Sequence, residues 1–138
     1  MSSVIKLSFG IKMSISKTLE EKTRAEEFER LIERETKYVE DLMKKPSETM
    51  KTSTIGMMTS EQATQTGIAL IKKSGFLLLK FNNLSGNFKI SLFDKLMNYV
   101  EKLKGLLEEY GKKIGVGSFS ITVGVPFGVS ISFTFEIK

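Results

Sequence analysis

The side chains with the greatest chemical reach in this sequence are hydroxyls, carboxylates and lysines, because histidine and cysteine are both absent. Without histidine, the chain lacks the commonest general base and the commonest metal ligand. Without cysteine, it has no disulfide, no thiolate metal site and no thiol nucleophile. An enzymatic role, a metal and a cofactor are therefore not expected, and no small-molecule substrate is evident.

The motif-like stretches fail on spacing. Glu108 and Glu109 are adjacent, so a helix points them in different directions and they make no carboxylate dyad. The run from Gly105 to Lys113 has one residue too many between its glycines for a phosphate loop, and Lys113 stands where Ser or Thr should follow. Gly115-Val116-Gly117 leads into alternating residues rather than a helix, which removes a dinucleotide fingerprint. Two lysine pairs, Lys72–Lys73 and Lys112–Lys113, are the candidate phosphate contacts. Such a set supports weak, salt-sensitive binding, because each cation releases about one counterion.

The most ordered chemistry is a hydroxyl array. From Phe119 to Ile137 every odd position is apolar, and the even positions are Ser, Thr, Gly, Pro or Glu. A strand sends alternate side chains to opposite faces. One face of a hairpin here is greasy, and the other carries Ser118, Ser120, Thr122, Ser130, Ser132 and Thr134. In Val125-Pro126-Phe127-Gly128, Pro126 presets a turn corner and Gly128 suits a left-handed position. That turn pairs Val123 with Ile131 and Ile121 with Phe133, keeping odd residues opposite odd ones. Soluble sheets usually guard exposed strands with charge. An uncharged hydroxyl face therefore points to contact with a second copy, and these six residues are the expected self-association face.

Residues 4–16 alternate from Ile5 through Leu7, Phe9, Ile11 and Met13 to Ile15 and predict a strand. Residues 18–45 change to helical spacing, with Phe28, Leu31, Ile32, Val39 and Leu42 on one stripe and Glu35 interrupting it. Pairs such as Glu20–Arg24 and Glu33–Lys37 support that helix, and Pro46 closes it. Residues 46–59 read as a polar loop. Thr59-x-x-Gln62 has capping-box form and opens a second helix expected to stop at Gly75. Residues 76–91 read as a hairpin with its loop near 82–87, a short helix over 76–81 being the other reading. Residues 91–112 form the clearest helix, capped by Ser91, with Leu92, Leu96, Val100, Leu103 and Leu107 on its stripe.

These elements predict a single α+β domain over residues 1–138. In it, an antiparallel sheet of N-terminal strand, middle hairpin and C-terminal hairpin packs on two main helices on one face. The formal net charge of +5 is spread along the chain, which argues against a basic stripe for nucleic acid. No apolar run approaches the roughly 18 residues of a membrane helix.

The function expected is a non-enzymatic structural or protein-interaction protein that forms homo-oligomers through its sheet. Its location would be the cytoplasm, or a virion if the protein is viral. The Lys- and Glu-rich, cysteine-free composition is compatible with a virus or mobile element of a thermophile. A weak nucleic-acid-binding module is one alternative. A membrane-active amphipathic hairpin is the other, since arms 117–125 and 129–138 match the roughly 9–11 residues of a membrane strand. Membrane contact is not favoured, because the chain has no tryptophan for an interfacial belt.

Overall fold

The computed structural model describes the backbone of residues 2–124 and 127–135, and side chains within that range from residue 18 onward. Its elements are helix α1 (Ser2–Met43), a 3-10 turn (Ile55–Met57), helices α2 (Ser60–Asn82) and α3 (Gly86–Ile114), and strands β1 (Val116–Gly124) and β2 (Gly128–Phe135). The α+β sandwich expected from sequence is therefore replaced by three helices carrying one two-stranded antiparallel sheet.

Two expected pieces of sheet are helical. Residues 4–16 belong to the 42-residue α1. A strand needs a neighbour for its backbone groups, whereas a helix satisfies them within the segment. The segment also extends the helix already formed by residues 18–43, so it needs no new nucleus. Residues 76–91 contain the end of α2, a short connection and the start of α3. Gly75 does not stop α2. Ala63, Gly67, Leu70, Ser74, Leu77 and Phe81 are all buried, at alternating spacings of four and three that make one continuous stripe. Gly67 and Ser74 disguise that stripe in the sequence.

Other local signals behave as their chemistry dictates. Thr59 and Gln62 form the reciprocal capping box, with Oγ1 accepting from the Gln62 amide at 3.2 Å and Oε1 accepting from the Thr59 amide at 3.0 Å. α3 begins at Gly86, five residues before the expected cap Ser91, with Ser85 at the cap position instead, and it runs past its expected end at 112 to close at Gly115 with φ 97°, a left-handed position suited to glycine. Gly111 is buried inside the helix, where an added Cβ would lie 3.1 Å from the Val116 carbonyl.

Ion pairs fix how the helices run. Glu27–Lys80 and Glu35–Lys73 set α2 antiparallel to α1. Lys95 with Glu29 and Glu33, and Lys102 with Glu40, set α3 parallel to α1. Between them lies the core of Phe28, Ile32, Val39, Leu70, Leu77, Phe81, Leu96, Tyr99 and Leu106. At one level α2 and α3 touch closely, because Gly67 leaves room for Ile114.

The hairpin folds back along α2 and α3. β1 has nine residues and spans about 30 Å, matching the about 32 Å of helix from Ile114 back to Phe93. The turn consequently returns to the start of α3, where the Phe127 ring meets Phe93 with centroids 5.3 Å apart. Phe93 continues through Phe81 to Phe28, so one aromatic chain ties the turn to all three helices.

The strand register differs from the expected one by two residues. Val123 pairs with Val129, Ile121 with Ile131 and Phe119 with Phe133. Odd residues still face odd residues, so the apolar face stays continuous. Phe127, not Gly128, takes the positive φ, at 56°. A left-handed non-glycine residue costs roughly 1–2 kcal/mol; docking the Phe127 ring on Phe93 offsets it. Val125 and Pro126 lie outside the described residues.

Candidate functional site

The hydroxyl array is where the sequence places it. Ser118, Ser120 and Thr122 stand on β1, opposite Thr134, Ser132 and Ser130 on β2, and all six are exposed. The opposite face carries Val116 and Val129, which are buried, and Phe119, Ile121, Ile131 and Phe133, which pack on the core from its margin. Alternation alone divides the two faces, and α2 and α3 cover the middle of the apolar one, leaving Val123 47% and Phe135 50% exposed. No residue from Val116 to Phe135 is charged.

A feature with no sequence motif lies at the edge of β2. Asn82, the last residue of α2, donates from Nδ2 to the Val129 carbonyl at 3.1 Å. Its Oδ1 accepts from the Val129 amide at 3.2 Å. A side-chain amide here imitates the neighbouring strand that Val129 lacks. Because both Val129 groups turn away from β1, Val123–Val129 is a non-hydrogen-bonded pair of the ladder. By the same alternation, the backbone groups of Ile131 and Phe133 also point to this outer edge. Those of Phe119 and Ile121 point to the opposite edge, on β1. Among the described residues, no backbone hydrogen bond occupies either edge.

The four candidate lysines do not converge. Lys73 turns toward α1, with Nζ 3.5 Å from Glu35 and 4.5 Å from the Tyr38 ring centre. Lys113 donates to the Gly56 carbonyl at 2.7 Å, pinning the 44–58 connection against α3. Lys72 and Lys112 are exposed on different helices. The best-coordinated lysine is one that sequence reading does not single out. Lys95 bridges Glu33 at 2.6 Å and Glu29 at 2.9 Å. Hydrogen bonds from its ammonium to Glu33 and then to Glu29 raise its pKa above the usual lysine value.

The interior holds one polar cluster shared by the three helices. Ser74 on α2 donates to the Leu70 carbonyl and shares a 2.8 Å hydrogen bond with the Tyr99 hydroxyl on α3. Burial pushes the Tyr99 pKa up to about 12, the Ser74 bond pulls it part of the way back, and the nearby Glu35 carboxylate adds to the rise. Glu35, on α1, is itself buried. Its oxygens lie 3.5 Å from Arg34 and Lys73, within ion-pair range, but Oε2 accepts no hydrogen bond. The interruption that Glu35 makes in the apolar stripe of α1 is the sequence trace of this cluster.

Among the described residues, no group of three or more acidic side chains could hold a metal ion, and no helix is long and apolar enough to cross a membrane. The chain matches no protein-family model, no curated protein and no solved structure.

Proposed function

We propose that this chain is a non-enzymatic interaction protein that assembles with copies of itself through its C-terminal hairpin. The observation that carries this reading is the exposure of the whole hydroxyl array on a hairpin without a single charge. Elsewhere the chain carries 21 basic and 16 acidic residues, and a contact there would have to desolvate charges of both signs. A neutral patch avoids that cost, and hydroxyls can both donate and accept across a self-contact. The apolar side of the hairpin is already engaged with α2 and α3, which favours a protein partner for the hairpin over lipid. The lysines offer no convergent site for a phosphate.

Light scattering at two protein concentrations tests the reading. The expected result is a mass above that of the 15.5 kDa monomer, rising with concentration. A strict monomer at both concentrations rejects it.

A further inference from the structure

The hydroxyl face alone is small. Eight-residue strands about 27 Å long in a sheet about 10 Å wide offer roughly 270 Å² per copy, against about 800 Å² per partner in a stable interface. A stable contact needs surface of the hairpin other than this face, and its two edges differ in what they offer.

The outer edge of β1 is flanked by α3. That helix faces the hairpin through Phe93 and Gly111 and faces α1 through Lys95 and Lys102. Between those faces it exposes Asp94, Glu101 and Glu108, one heptad apart, together with Lys104 and Lys112. This edge therefore offers a second copy charged side chains rather than apolar ones.

The outer edge of β2 is different. Asn82 reaches it from α2, and Leu79, Gly75 and Ile68 lie three, seven and fourteen residues before Asn82. Those spacings put all four on one helical stripe, so the stripe runs beside the edge. Leu79 and Ile68 stand out from it, 61% and 43% exposed, with the exposed Lys72 between them. Gly75 is the informative member. A glycine inside a helix costs roughly 0.5–1 kcal/mol, yet an added Cβ at Gly75 would meet nothing within 4 Å. Nothing in the monomer needs the missing side chain. Gly67 lies level with Ile114, near the end of β2, and Asn82 is level with Val129 near its start. Gly75 therefore sits close to the middle of the open edge.

We propose that two copies join along the outer edges of β2, antiparallel about a two-fold axis, forming a four-stranded sheet with the two α2 helices crossing at Gly75. The inference rests on the self-association reading above and names the element that performs it. Ile131 and Phe133 supply the backbone groups that pair. Asn82 closes the ladder at Val129 and so limits the pairing to the distal half of β2. Gly75 lets the two helices approach, and Ile68 and Leu79 cover one another across the axis. The contact is isologous, so it closes on itself and stops at a dimer.

Sedimentation velocity across the micromolar range on the wild type, Gly75→Glu and Ser132→Lys tests this, with thermal melts confirming that each variant is folded. Glutamate at position 75 has room in the monomer but carries a charge onto the axis. Lysine at position 132 alters only the hydroxyl face. The expected result is a wild-type dimer, a dissociation constant raised about tenfold or more by Gly75→Glu, and a dimer retained by Ser132→Lys. If Gly75→Glu stays dimeric while Ser132→Lys dissociates, the edge proposal falls and the hairpin reading stands. If neither substitution weakens the dimer, both fall, and a monomeric wild type overturns both as well.

Discussion

The side-chain amide of Asn82 holds the backbone of Val129 through two hydrogen bonds across 47 residues of sequence. It links the end of α2 to the first residues of β2, where Val129 is buried. The hairpin is thus tied at three places. Val116 follows directly from α3, Phe127 docks on Phe93, and Val129 is gripped by Asn82.

Replacing Asn82 with alanine leaves the Val129 amide and carbonyl without their partner. Hydrogen bonds of this kind contribute about 1 kcal/mol each, less where water can enter. Asn82→Ala is expected to cost about 1–2 kcal/mol in urea unfolding. Amide exchange should accelerate more in β1 and β2 than in the core of α3. Equal acceleration in both would mean that Asn82 does not tie the hairpin separately.

Tyr99 links stability to alkaline pH. Its folded pKa, about 12, lies above the unfolded value of about 10. Between these values the unfolded chain loses the proton and the folded chain keeps it, so stability falls as pH rises. Below pH 10 the contribution is fully present. The loss should reach roughly 2–3 kcal/mol by pH 12. Urea melts of wild type and Tyr99→Phe at several alkaline pH values isolate it from the lysines, which titrate in both proteins. The phenylalanine variant should lose less stability over this interval, and identical slopes would remove the assignment.

Gly67 is the glycine that packing requires. An added Cβ would lie 1.9 Å from the Ile114 Cγ2 methyl group, and Ile114 is fully buried. Gly67→Ala is expected to destabilise by about 1–3 kcal/mol, despite the better helix propensity of alanine. In an Ile114→Ala background the same change should become neutral or favourable, because the opposing methyl is gone. A double-mutant cycle by chemical denaturation reads this coupling; additive costs would show that the two sites do not meet.

Some of this molecule was legible in its residues because the signal is local. The alternation from Phe119 onward divides two faces in any antiparallel hairpin, so the exposed hydroxyl array follows from order alone. Thr59 and Gln62 cap α2 through bonds only three residues apart. The 91–112 stripe is broad enough to require a helix. Signals of comparable strength misled elsewhere. Alternation over residues 4–16 describes side chains but provides no neighbouring strand, and the backbone there closes its hydrogen bonds within α1. The apolar run at 76–81 reads equally as strand or helix. What resolves it is the stripe through Gly67 and Ser74, whose small side chains conceal a buried face until Ile114 and Tyr99 are placed against them.

By itself, then, the order of residues determined which faces are apolar, where two helices are capped or closed, and that the C-terminal strands turn back on one another. Tertiary structure decided the register of those strands, the continuity of α2 through Gly75, the burial of Glu35 and the grip of Asn82 on Val129. The physical reason is distance along the chain. Periodicity and capping act within a few residues. The choice of Phe127 as the left-handed residue depends instead on Phe93, and the guarding of one strand edge depends on a helix that ends 46 residues before Gly128.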